Sequence, residues 1–215
     1  MPGFDLSTII ANIPALMIGF AFHEYAHAWM ADRLGDPTPR SQGRLTLNPF
    51  AHLDVFGTLM ALFFSFGWAK PVMTSPRHFR GNPRTARILV SIAGPLANLL
   101  VAFIAMLAWF ITLKLLKDSA WVPVIYQVFR QLVLLNLALG VFNLLPIPPL
   151  DGFSVLSGIL PARFYGHLVI LESYGMIILA IVLFTNILGS VLWPLVIGLF
   201  NLYQKIIILV LSPFF

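Results

Sequence analysis

"IIANIPALMIGFAFHEYAHAWMA", residues 9–31, decides how the rest of the chain is read. It is apolar over a length that crosses a hydrocarbon layer, since about 20 residues of helix span a bilayer core. Yet it carries His23, Glu24 and His27 near its end. A charged side chain at membrane depth costs about 2.5 kcal/mol or more unless something compensates it. His-Glu-x-x-His offers a compensation: on a helix, positions i and i+4 share a face, so His23 and His27 can hold one divalent ion, and Glu24 can act as general base beside it. Two neutral imidazoles suit zinc better than magnesium or calcium.

Composition agrees with a membrane setting. The chain has 215 residues, 59% hydrophobic and 10% charged, with a mean hydropathy of +0.91; a soluble domain is usually about 25% charged. Residues 1–215 read as one domain, because most of the length goes into spans. The absence of cysteine excludes disulfides, thiolate metal sites and a cysteine nucleophile. A net charge of +5 does not point to nucleic acid, since the Lys and Arg lie in loops between apolar runs. The opening "MPGFDLST" lacks the positive n-region of a cleaved signal peptide.

The expected fold is an all-α polytopic membrane protein with about five transmembrane helices, near 8–31, 86–113, 122–145, 168–187 and 190–212. The run at 55–69 is too short to span and reads as a re-entrant or interfacial hairpin, in which Gly57 and Gly67 would permit movement. "SQGRLTLNPF" (41–50) alternates and is either an edge strand, giving a small β-hairpin near the site, or an ordinary loop. Arg33, Arg40, Arg44, Lys70, Arg77, Arg80 and Arg84 fall between the first two spans, and with Arg87 at the border they make eight of the thirteen basic residues. That places the loop in the cytoplasm, the N-terminus outside, and Lys114 and Lys117 on the outer face.

Catalytic zinc takes three protein ligands and keeps a position open. The remaining candidates are Asp32, Asp36, His52, Asp54, His78, Asp118, Asp151, His167 and Glu172. Asp118 falls on the outer side, away from His27. Asp32 and Asp36 flank a helix stop and read as solvated caps or turn formers; His78 and His167 sit in basic loops. Asp151 lies in "NLLPIPPLDGF" (143–153), where Pro146, Pro148 and Pro149 break a helix and Gly152 permits a tight turn. It either points into the cavity of His23 and His27 or caps the following helix.

"HEYAH" joined with "NLLPIPPLDG" some 120 residues later resembles the site-2 protease family of intramembrane zinc metalloproteases, in its small members without PDZ or CBS domains. "NPFAHLDVFGT" (48–58) and "AGPLAN" (93–98) resemble patterns those members carry in the same order. The resemblance implies one Zn²⁺ held by His23, His27 and Asp151, Glu24 as catalytic base, and Asn143 as a contact for substrate backbone or oxyanion. For His52 and Asp54 two readings stay open: they shape the site's entrance or support a ligating histidine, or Asp54 caps the 55–69 segment while His52 packs at the interface. The implied substrate is a single-span membrane protein, such as an anti-sigma factor or a signal-peptide remnant, met in a lipid bilayer and in a prokaryotic plasma membrane, with the site nearer the cytoplasmic face. The competing readings are a membrane metal transporter, and a membrane metallopeptidase of another family with Glu172 as third ligand.

Overall fold

A computed structural model describes residues 6–64, 67–116, 119–185 and 187–212. Lys117 and Asp118, expected on the outer face, lie outside the described residues. Three helices form the frame: α1 (Leu6–Arg33), and after a short α2 (Thr38–Ser41) and α3 (Val55–Phe64), the long α4 (Pro83–Leu115) and α5 (Val122–Asn143). α1, α4 and α5 each pack against the other two. Their shared faces are rich in small residues, with Ala15, Ala21, Ala28 and Ala31 of α1 and Ala86, Ala93, Ala102 and Ala105 of α4 buried. Without a hydrophobic drive inside lipid, helices associate where small side chains let backbones come close. α4 starts on Asn82, whose side chain accepts the Arg84 N–H at 2.9 Å, with Pro83 in the first turn where its missing N–H costs nothing.

The frame is finished by α6 (Asp151–Ile159), α7 (Tyr165–Ser173), α8 (Gly175–Phe184) and α9 (Ile187–Leu211). An apolar core around Met106, Trp109, Val133, Leu137 and Val196 joins α4, α5 and α9 at one end of the bundle. The polar residues of α1 gather at the other end. Among the described residues three helices are long and apolar enough to cross a membrane, at 83–115, 122–143 and 188–211.

Two expectations change in detail. The run 168–187 is not one straight helix: the pair 162–173 and 175–184 is bent by 62°. The bend falls where Gly175 packs on Pro148, since a Cβ there would lie 2.9 Å from Pro148 Cβ. Residues 41–50 form no strand and instead run through a turn into the short helical turn Pro49–Ala51. Arg44, which alternation placed on a strand face, turns its guanidinium onto the carbonyls of Ala51, Lys70 and Pro71. Among the described residues strand pairing is reduced to one antiparallel bridge, Leu53 with Ala69, beside a Lys70 N–H to His52 carbonyl bond of 2.8 Å.

That bridge brings residues 67–69 back as an extended arm against the segment that leads into α3. Gly57 and Gly67 are close-approach positions. A Cβ on Gly57 would come 2.2 Å from the Trp68 carbonyl, and one on Gly67 would come 2.0 Å from the Gly57 carbonyl. The outer face of α3 leaves Val55 and Phe56 exposed, as suits a segment lying against lipid.

Candidate metal centre

The centre is built by α1, α4 and the loop that follows α5. One turn separates His23 from His27, and both side chains are buried between α1 and α4. They fit there only because residue 94 has no side chain: a Cβ on Gly94 would lie 2.4 Å from His27 Nε2 and 2.8 Å from His23 Cε1. The third group arrives from the far side of the fold. After α5 the prolines carry the chain to Leu150, and Asp151 opens α6. Gly152 serves there through close approach, since its Cβ would sit 2.2 Å from the Leu144 carbonyl oxygen. The helix-capping alternative for Asp151 does not hold, because Leu150 occupies the cap position and no side chain caps α6.

Hydrogen bonding sets which imidazole nitrogens face the cavity. His23 Nδ1 is 2.7 Å from Asn98 Oδ1. The Asn98 amide nitrogen donates to the Gly19 carbonyl at 2.9 Å and to Asn136 Oδ1 at 3.0 Å, so its oxygen is left to accept the His23 Nδ1–H. His27 Nδ1 donates to the Val90 carbonyl at 2.7 Å. With a proton on each Nδ1, both Nε2 atoms carry lone pairs. Those lone pairs converge, 3.0 Å apart, and Asp151 Oδ2 stands 3.2 Å from each.

Three acceptors gathered so closely, with neutral imidazoles, have no proton to share and call for a cation. Their ligand atoms lie within 4.8 Å of one another. Tetrahedral zinc with bonds of about 2.0–2.1 Å spaces its ligands about 3.3 Å apart, so this donor set fits zinc. Glu24 and Asn143 line the same cavity of about 770 Å³. Glu24 Oε2 accepts the Val72 N–H at 2.9 Å, which lays the returning arm across the site. Asn143 donates one amide hydrogen to the Leu139 carbonyl at 2.9 Å, leaving the other available.

The remaining candidates sit elsewhere. Asp32 is held by both Arg40 Nε and Nη2, at 2.9 and 2.7 Å. Asp36 is not solvated as its turn position suggested but fully buried. It accepts from the Thr38 and Ser75 backbones at 3.0 and 2.6 Å and faces His78 Nδ1 at 3.2 Å, tying the segment after the returning arm to the end of α1. His52 is buried with Nε2 donating to the Thr46 carbonyl at 2.7 Å, and burial pushes its imidazole below the usual histidine value. Asp54 accepts the Gly57 N–H at 2.7 Å, the geometry of a cap on α3. His167 is exposed on α7. Glu172 pairs with Arg87 at 3.6 Å rather than with the imidazoles.

Sequence reading gave no role to Asn98 or Asn136, both fully buried. The signal was present: an amide inside an apolar span is costly unless satisfied, and these two satisfy each other.

Fold and site together define a helical membrane protein with the donor set of a metallopeptidase. The sequence model of peptidase family M50 matches residues 11–189, and the chain belongs to that family, the site-2 protease family. Three similar proteins bear the printed name "Putative zinc metalloprotease". YwhC of Bacillus subtilis is 43% identical over 89% of this chain and 88% of its own. Rip2 of Mycobacterium tuberculosis is 30% identical over 88% of this chain and 73% of its own. MJ0611 of Methanocaldococcus jannaschii is 28% identical over 73% and 74%. No solved structure matches the chain.

Proposed function

We propose that this protein is an intramembrane zinc metalloprotease that hydrolyses peptide bonds within or near the transmembrane segments of other membrane proteins. The observation that carries the reading is the convergence of two Nε2 lone pairs and one Asp151 oxygen in a cavity that also holds Glu24. Family membership and the relatives' shared name support it. His23, His27 and Asp151 would hold the ion, with Asn98 and Val90 fixing the ring orientations. A zinc ion bound there supplies a Lewis acid for the scissile carbonyl and lowers the pKa of water toward about 7.

The protein's own groups do the rest. A Glu24 carboxylate oxygen takes the proton of the attacking water and returns it to the leaving amine nitrogen. Asn143 offers its second amide hydrogen to a substrate carbonyl. Because the amides of a membrane helix are already bonded internally, the substrate segment must unwind before it reaches Glu24. This frees its backbone for such contacts.

The proposed topology has five passes, with α1 first, the bent α7–α8 pair fourth and the N-terminus outside a prokaryotic plasma membrane. Eight basic residues in the loop between the first two passes and at its borders support a cytoplasmic loop. The site then lies nearer the cytoplasmic face, and the substrate is a single-span protein such as an anti-sigma factor or a signal-peptide remnant, cut in regulated intramembrane proteolysis.

Glu24→Gln tests the reading. The variant should bind zinc like the wild type and lose cleavage of a transmembrane peptide by at least about 100-fold, the scale of a general base. Retained cleavage contradicts the proposal. Metal flux through the wild type that survives in Glu24→Gln would favour a transporter.

A further inference from the structure

Among the described residues lining the cavity, Glu24 and Asp151 are acidic and Arg87 is the one cation. Arg87 stands three residues before Val90, whose carbonyl holds the His27 ring. At 3.6 residues per turn the two lie on the same side of α4, about 4.5 Å apart along the axis. The guanidinium therefore reaches the cavity from the end nearer the basic loop. It is occupied by a carboxylate already: Glu172 Oε1 lies 3.6 Å from Arg87 Nη2, with the two side chains 43% and 55% exposed. A single long contact between half-exposed groups contributes little, so another carboxylate can displace it.

We propose that Arg87 is a specificity-determining residue that reads a carboxylate on the substrate, with Glu172 as its resident occupant when no substrate is bound. The inference rests on the protease reading given above. Two facts make the match chemical rather than merely positional. A guanidinium presents a planar fork that fits a carboxylate with two parallel bonds. Arg87 is the one cationic side chain among the described residues of the lining, so an acidic substrate group finds a side-chain partner at this one place and a Lys or Arg beside it meets repulsion. An extended chain advances about 3.3 Å per residue. With the length of the Arg side chain added, the carboxylate read would sit about two to three residues from the scissile bond, on the side that leaves toward the start of α4.

Glu172 precedes the Tyr174–Gly175 bend, and α8 beyond it contributes Met176 and Leu179 to the cavity wall. Displacing Glu172 from Arg87 thus removes one tie between α7 and α4 as the substrate arrives. A Glu or Asp side chain and the terminal carboxylate of a trimmed segment share this chemistry.

The experiment measures KM and kcat for single-span peptides carrying Glu or its isostere Gln at successive positions around the cut. Matched peptides with free and amidated C-termini distinguish the two sources of carboxylate. The wild type should favour Glu over Gln by about fivefold in KM at one position, the scale of a charge-assisted bond in a partly wet site, with kcat similar. In Arg87→Gln that ratio should fall to about one, and Arg87→Glu should favour Lys at the same position. Glu172→Gln, which vacates the guanidinium, should lower KM for the Glu peptide. Equal KM for Glu and Gln in the wild type, or a ratio that survives Arg87→Gln, overturns the inference. Binding of the same peptides to the Glu24→Gln protein, followed by fluorescence, separates this failure from failure of the protease reading. Absence of cleavage with a Glu preference in binding sinks the protease and keeps the subsite; absence of any preference in binding sinks the subsite.

Discussion

Gly94→Ala tests the site with one methyl group. The added Cβ would stand 2.4 Å from His27 Nε2, 2.6 Å from His27 Cε1 and 2.8 Å from His23 Cε1. Ordinary contact begins near 3.4 Å, so the nearest ring must retreat by about 1 Å. Retreat is opposed on both sides. His27 is tied to the Val90 carbonyl and His23 to Asn98, while α1 and α4 are already in contact through small residues. A zinc–nitrogen bond is about 2.0–2.1 Å, so a ligand displaced by half that length no longer coordinates well. Zinc should bind about 10- to 100-fold more weakly, or about 1.4–2.7 kcal/mol. Turnover should fall by at least about 100-fold, as for a 1 Å misplacement of reacting groups. Crowding of a packed interior should also lower stability by about 1–3 kcal/mol. The assay is chelator competition for zinc on purified protein in detergent, with thermal unfolding alongside. Gly166→Ala, where a Cβ meets nothing within 4 Å, is the control and should match the wild type. Wild-type zinc affinity in Gly94→Ala refutes the proposed placement of the ligands.

Asn98→Leu removes the acceptor of the His23 Nδ1–H and frees the ring to adopt the other tautomer. Zinc affinity should fall about tenfold, with an altered histidine nitrogen signature in the NMR spectrum of isotopically labelled protein. Asp36 gives a pH dependence outside the spans. Burial pushes its carboxyl up, but hydrogen bonds from Thr38, Ser75 and His78 pull it further down, so the net shift is downward. A lowered value means the contribution is complete above the unfolded carboxylate range near about 3.9 and is lost as pH falls through the folded value. Asp36→Asn should cost about 2 kcal/mol at neutral pH and flatten the loss of stability below about pH 4, as read by acid unfolding.

The helical class was legible because apolar runs of span length leave few alternatives, and α4, α5 and α9 lie close to the runs read for them. The sequence also pointed to His23, His27 and Asp151 as a possible group, because buried imidazoles and a proline-broken helix are both costly without a shared purpose. What it could not show were relations across the fold. Asp36 resembles any turn aspartate until Ser75 and His78 come back over it. Gly94 looks like a helix-spacing residue until the imidazoles of α1 are set against it. The bend after Ser173 was hidden because both halves are apolar, and only Gly175 against Pro148 reveals the reason. Arg44 kept 41–50 out of a strand by bonding carbonyls more than 25 residues away, a partner that alternation does not encode.

The most direct measurement is anomalous scattering at the zinc edge from crystals of the zinc-loaded wild type. The expected result is one peak within about 2.1 Å of His23 Nε2, His27 Nε2 and an Asp151 oxygen. A zinc peak beside Glu172 or elsewhere, with those three side chains apart, contradicts the metalloprotease assignment.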